Sequence, residues 1–149
     1  NYSLASSGTA FNNVRAMIKL AKNLIIPTPE AATQKFAFLG SNGSGKSYAA
    51  TKLGEEMLRA GIQIIAIDPV GIWHGLRRKA DGTPSDFNLL VFGGLHGDLS
   101  LTLSMAKAIA HLVVSERLSV VLDLKLLRRD DRKKFASLST SKSFCRRSL

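Results

Sequence analysis

Eight consecutive residues could grip a polyphosphate: Gly40-Ser41-Asn42-Gly43-Ser44-Gly45-Lys46-Ser47. The glycines let a backbone loop take dihedrals that a Cβ would hinder, so its N–H groups can turn inward around an anion. A helix starting near Lys46 would aim its first N–H groups and the positive end of its dipole at the same anion. Lys46, the candidate catalytic residue, would reach the β- and γ-phosphates, and the Ser47 hydroxyl would ligate Mg²⁺. The spacing is the Walker A pattern, G-x-x-x-x-G-K-[ST], and it implies a nucleotide polyphosphate with Mg²⁺. Expected nucleotide contacts run through Gly40, Ser41, Asn42, Gly43, Ser44, Gly45, Lys46, Ser47 and Tyr48.

Turnover of a nucleotide needs an acid as well as the loop, conventionally at the end of an apolar strand. Two apolar runs end that way: Ile64-Ile65-Ala66-Ile67 before Asp68, and Val120-Val121-Leu122 before Asp123. Their distances from Lys46 make Asp123 the candidate Mg²⁺ acid, the alternative being a carboxylate simply solvated at a strand end. Pro69 and Leu124 follow these two acids, so neither strand carries the acidic pair used by many hydrolysing motors. His96 and Asp98 could suggest a metal site or an acid–base pair. Three or more ligands are usual for a metal, and with no third nearby a polar loop is the better reading. His111 on a helix face is read as packing or surface.

These residues need elements to position them. Lys35-Phe36-Ala37-Phe38-Leu39 reads as the strand leading into the loop, and Tyr48 to Ala60 as the helix leaving it, with Ala49, Leu53, Met57 and Ala60 on one face. Phe11 to Ile25 also has apolar residues at helical spacing, and Pro27 and Pro29 break the chain after it. Gly61 to Pro69, Leu89 to Phe92 and Ser119 to Leu124 are short runs without alternation, as expected of strands buried on both faces of a parallel sheet. Gly71 to Lys79 reads as a loop or short helix, Leu103 to Val114 as a crossover helix, and Lys125 to Phe135 as the start of a basic one. Strands alternating with helices predict an α/β fold with a mainly parallel sheet, of the P-loop NTPase class.

With 149 residues and 45% hydrophobic composition, one core and one main domain are expected. The division is residues 1–26 as a loose segment and helix, 27–136 as the nucleotide-binding domain, and 137–149 as a basic, Ser-rich, disordered tail. The net charge of +10 is uneven, with twelve Lys/Arg against nine Asp/Glu up to residue 124 and nine against two beyond it. A basic end can attract nucleic acid by displacing counterions, and is equally compatible with a solvated surface. No apolar run is long enough for a membrane span, and there is no secretory signal pattern. The single Cys145 cannot form an internal disulfide, which suits a reducing cytoplasm.

The loop from Phe36 to Ser47, the Ile67-Asp68-Pro69 strand end, Gly71-Ile72-Trp73-His74-Gly75-Leu76-Arg77, Val91-Phe92-Gly93-Gly94 and Val120 to Leu124 together resemble the ATPase domain of the HerA–FtsK superfamily. Within it, the chain is similar to bacterial HerA-like ATP-binding proteins of the helicase HerA central-domain type, over roughly residues 24 to 136. The resemblance implies a RecA-like fold, homo-hexameric rings, ATP and Mg²⁺, and translocation on duplex DNA, often with a nuclease partner. Two departures stand out. Val70 and Ile72 occupy places where the wider family often has His and Glu, and a later strand ending in Asp-Glu is missing, as is an arginine-finger segment. The chain is therefore expected to be a shortened copy whose Ser-rich end was cut or left its reading frame. Two rival readings are a nucleotide-binding remnant that does not hydrolyse ATP and a different P-loop enzyme such as a small kinase.

Overall fold

A computed structural model describes residues 17–33 and 35–139. The described chain opens on an antiparallel hairpin, β1 (Met17–Ala21) and β2 (Leu24–Pro27), followed by a short helix, α1 (Thr28–Thr33). This corrects the helix expected up to Ile25. Ile18 and Leu20 point inward while Lys19 points out, and Lys22-Asn23 makes the turn. The period-two alternation and the turn outweigh an apolar spacing that also fits a helix. The loose segment expected at residues 1–10 lies outside the described residues.

Residues 35–39 are not a strand, which is the second correction. Phe38 packs beside Ile18, Ile26, Ala31 and Leu53 in the cluster under the hairpin, whereas Leu39 is 91% exposed. An apolar, aromatic run specifies burial, and one aromatic ring here, Phe38, is partly buried without a ladder of backbone hydrogen bonds.

Three strands form the sheet: β3 (Ile65–Asp68), β4 (Leu89–Gly93) and β5 (Ser119–Asp123). Their order is β3-β5-β4 and all pairs are parallel, in a register that sets Asp68 beside Asp123 and Asp123 beside Gly93. The carboxyl ends of the strands, where open α/β sheets place their ligands, are thus aligned along one edge. The helices are α2 (Lys46–Arg59), α3 (Ala106–Ser115) and α4 (Arg129–Ser139), with a 3₁₀ turn at Trp73–Arg77. One sheet face carries Ala66, Val91 and Val121 beneath Met57 and Leu58 of α2 and Trp73. The other face carries Phe92, Val120 and Leu122 beneath Ile109 and Val113 of α3 and Phe135 of α4. The hairpin packs on the outer side of α2 through Leu53, so α2 lies between hairpin and sheet.

The α/β class and parallel sheet agree with expectation and are consistent with a P-loop NTPase fold. Helix α4 continues to Ser139, past the point where the Ser-rich composition sets in at Ser137; residues 140–149, with Cys145, lie outside the described residues. Helix α3 ends with Leu118 N–H donating to Val113 C=O at 3.2 Å, and Arg117, the residue before Leu118, has φ 51°. A left-handed cap of this kind normally uses glycine. Arg117→Gly is expected to stabilise the fold by about 1 kcal/mol, because the left-handed conformation costs an L-residue that much and the side chain is exposed. Urea denaturation of the two proteins checks this.

Candidate functional site

The Walker A segment is a folded turn. Gly43 and Gly45 have φ of 78° and 84°, in the left-handed region that favours glycine. Ser44 N–H donates to Ser41 C=O at 3.3 Å, and α2 begins at the next residue after Gly45. The Gly45 cap gives no side-chain hydrogen bond to the first turn, so the N–H groups that Asp or Ser would normally satisfy stay open to an anion. Lys46 folds back over the loop, its Nζ donating to Gly40 C=O at 2.9 Å and also to Ser41 C=O. Its ammonium therefore sits above the ring formed by residues 40–46. Ser47 and Tyr48, in the first turn of α2, are both exposed.

Asp68 has a different task. Its side chain is 1% exposed, and its carboxylate accepts four backbone hydrogen bonds. Oδ1 takes Val70 N–H at 3.0 Å and Gly71 N–H at 2.7 Å; Oδ2 takes Ile72 N–H at 2.6 Å and Trp73 N–H at 2.8 Å. Such charge-assisted bonds replace the water that burial removes. They also bend the chain from β3 into the 3₁₀ turn. Trp73 is thereby set against α2 at Gly54, where a Cβ would lie 2.6 Å from Trp73 Cζ3.

Asp123 is 3% exposed. Its Oδ1 accepts Lys125 N–H at 2.9 Å, and its carboxylate is enclosed by Gly71 and Gly94; a Cβ on Gly94 would overlap Oδ2. Glycine at both places makes room for this carboxylate at the carboxyl edge of the sheet. Among the described residues no three His, Cys, Asp or Glu side chains cluster as a metal site. A Mg²⁺ at Ser47 would take a different form, with one hydroxyl ligand from the protein beside phosphate oxygens and water.

Comparison with known sequences decides the family. The model of the family described as "Helicase HerA, central domain" matches residues 19–143. The chain belongs to the helicase HerA central-domain family. No curated protein and no solved structure matches it significantly. The match includes β1 from Lys19 onward, the loop, all three sheet strands and α4.

In this HerA-family chain, sequence reasoning picked out the loop and both strand-end acids, but missed what surrounds His96. Its ring stacks on His74, with centroids 4.1 Å apart and an interplanar angle of 24°. Asp98 does not pair with His96. Its Oδ1 binds Arg77 at 2.9 Å and its Oδ2 accepts Val91 N–H at 2.9 Å, fastening the loop to the edge of β4. The His74–Arg77 segment after Asp68 was the available signal, since a parallel sheet brings loops after neighbouring strands together. His111 is exposed on α3, as expected. No helix among the described residues is long and apolar enough to cross a membrane.

Helix α2 also carries a charged quartet: Lys52, Glu55, Glu56 and Arg59. Lys52 binds Glu56 at 2.8 Å and Glu55 at 3.1 Å; Arg59 binds Glu55 at 2.7 Å and also Glu56. Burial is the largest single influence on each glutamate and pushes its pKa up, but the hydrogen bonds and charges of Arg59 and Lys52 together outweigh it and hold both carboxyls below 4.5. Lys52 is raised, chiefly by its bond to Glu56.

Two expected outcomes follow from this geometry. Asp68→Asn puts an NH₂ group against two of the four N–H donors and is expected to cost about 2–4 kcal/mol of stability, measured by urea denaturation. The Glu55 and Glu56 contribution is complete above pH 4.5 and is lost as the pH falls through their depressed folded-state values. The paired variant Glu55→Gln/Glu56→Gln should therefore show a flatter loss of stability below pH 4.5 than the unaltered protein. Since the pairs are part-exposed, the difference should shrink in about 1 M salt.

Proposed function

We propose that this chain binds ATP with Mg²⁺ through the Gly40–Ser47 loop, as the nucleotide-binding part of a RecA-like, DNA-translocating ATPase that works as a ring. The observation that carries this reading is Lys46. Its ammonium lies over the Gly40 and Ser41 carbonyls at the mouth of a helix whose cap offers no acceptor of its own. A triphosphate entering there would draw Lys46 from those carbonyls to its β- and γ-oxygens, while amides of residues 43–47 bind the remaining oxygens. Ser47 would hold Mg²⁺, which supplies charge neutralisation between the phosphates when bound. Membership of the HerA family supports ATPase chemistry in general terms. Duplex DNA as the track, a homo-hexamer as the assembly and a nuclease as partner are part of the proposal.

A second reading has its own observation in favour. Asp68 is fully engaged with backbone N–H groups, and Asp123 is enclosed by glycines. A chain whose strand-end acids hold loops in place could bind ATP without turning it over. Asp123→Asn separates the roles: a Mg²⁺ acid makes ATP affinity less dependent on Mg²⁺ when altered, whereas a loop holder lowers thermal stability and leaves that dependence unchanged.

Lys46→Ala is expected to weaken ATP binding by at least about 100-fold, since it removes a charge-assisted contact to two phosphates. Titration with a fluorescent ATP analogue measures this, and unchanged affinity would reject the loop assignment. Phosphate release with and without duplex DNA tests the motor. Stimulation by DNA supports translocation, and tight binding without release supports the non-hydrolysing reading.

A further inference from the structure

Positive charge is concentrated on one surface element. Residues 17–124 carry eleven Lys/Arg against nine Asp/Glu, whereas residues 125–134 carry six against two. Five of those six, Lys125, Arg128, Arg129, Lys133 and Lys134, are exposed, on α4 and the turn that leads into it. The ion pairs among the described residues lie elsewhere, at Lys52, Arg59, Arg77 and Lys79, so no carboxylate neutralises any of the five. Phe135 settles which side of α4 faces out. It is 1% exposed in the core, while Arg129 and Lys133, four positions apart, share a face turned away from it. Lys133 and Lys134 also border one hollow of about 510 Å³, with Leu103 and Ser137. The sixth cation holds this stripe in shape. Arg132 donates through Nε to Leu127 C=O at 2.8 Å and through Nη2 to Lys125 C=O, which fastens the turn carrying Lys125 and Arg128 to the helix. Lys125 Cδ lies 2.8 Å from where a Cβ on Gly71 would be, so the stripe starts at the carboxyl edge of the sheet.

We propose that α4 and the turn before it form a docking surface for a nucleic-acid backbone, with Arg128, Arg129, Lys133 and Lys134 set against its phosphates. Arg128 and Arg129 present planar forks that match phosphate oxygens in pairs. Arg129 and Lys133 stand about 6 Å apart along the helix axis, close to the rise over two nucleotides of one strand. The exposed side chains described on α4 are Arg129, Asp130, Lys133, Lys134 and Ser137, all polar, so the helix offers no apolar face to a bilayer. Asp130 and Asp131 lie in the first turn, where the helix dipole favours acids. This surface covers the sheet face opposite α2, so a duplex on it and a triphosphate at the Walker A loop use different groups. The choice of duplex DNA as the nucleic acid rests on the translocating-ATPase reading above; the phosphate chemistry does not.

Fluorescence anisotropy of a short labelled DNA duplex, titrated with the full chain, tests the surface. Binding should weaken at least about 30-fold between about 50 and 200 mM salt, as expected when several phosphates are neutralised. The variant Arg129→Gln/Lys133→Gln/Lys134→Gln should bind at least about ten-fold more weakly at the lower salt, with a log–log salt slope shallower by about 2–3. Lys133→Gln alone should flatten that slope by about 1, which covers the case in which the triple variant does not fold. Lys19→Gln/Lys22→Gln/Lys35→Gln removes the same charge from the hairpin side and should leave affinity and slope nearly unchanged. Equal losses in the two triple variants would mean attraction by net charge alone and overturn the proposal, as would α4 variants that bind like the unaltered protein. Polyglutamate that displaces the duplex as readily as unlabelled duplex does identifies an acidic polypeptide as the occupant, which also overturns it. ATP titration of the same proteins keeps the two readings apart. Duplex binding without ATP binding upholds the surface and rejects the loop, and ATP binding without duplex binding does the reverse.

Discussion

A single buried carboxylate sets the course of the chain at the functional edge. Asp68 has no access to water, and only the four N–H groups of Val70, Gly71, Ile72 and Trp73 solvate its charge. A charge so buried is tolerable only with every donor in place, so these four residues have little freedom to rearrange. Trp73 is consequently fixed above the sheet, where its ring fits the gap left by Gly54 on α2. The helix that leads out of the Walker A loop is thus seated against a residue whose backbone Asp68 holds. The next residue, His74, is delivered to His96 by the same turn.

Asp123 complements this from the central strand. In register with Asp68 and Gly93, it places a second carboxylate between two loops rather than in one. Gly71 and Gly94 come from different strand ends and both make room for it. The three carboxyl ends are in this way packed against each other as a unit. On the far side of the sheet, Gln63 donates its amide to both Val113 C=O at 2.9 Å and Leu118 C=O at 2.8 Å. That bond ties the start of β3 to the end of α3, so the amino-terminal edge of the sheet is fastened as well.

How far the sequence discloses this depends on the length scale of the interaction. Short apolar runs without alternation announced β3, β4 and β5, although β3 is buried on one face only, Ile65 and Ile67 on the other being 37% exposed. The loop was legible because glycines at fixed spacing before Lys46 serve one known purpose. The hairpin was not, because Ile18, Ala21, Leu24 and Ile25 satisfy a helical period, although only Ile18 of the four is buried in the hairpin. Only the alternation of Ile18, Lys19 and Leu20 points to a strand. Phe36 to Leu39 misled for another reason: strand propensity records fit to a half-buried surface, and Phe38 found that fit against the hairpin cluster. The stacked histidines lie 22 positions apart in the chain, and no local pattern encodes contact at that range. Likewise, nothing near Asp68 announces that it will accept four backbone bonds, since an acid before proline usually reads as a turn.

The strand order β3-β5-β4 also bears on biosynthesis. Each outer strand pairs with β5 and neither with the other, yet β5 is the last of the three to leave the ribosome. Until residues 119–123 emerge, two apolar strands must wait in the nascent chain without their shared partner. Long-range parallel pairing is slow and leaves such edges exposed to association. The growing polypeptide is consequently most vulnerable in the interval between translation of Gly93 and of Asp123, when chaperone protection would matter most.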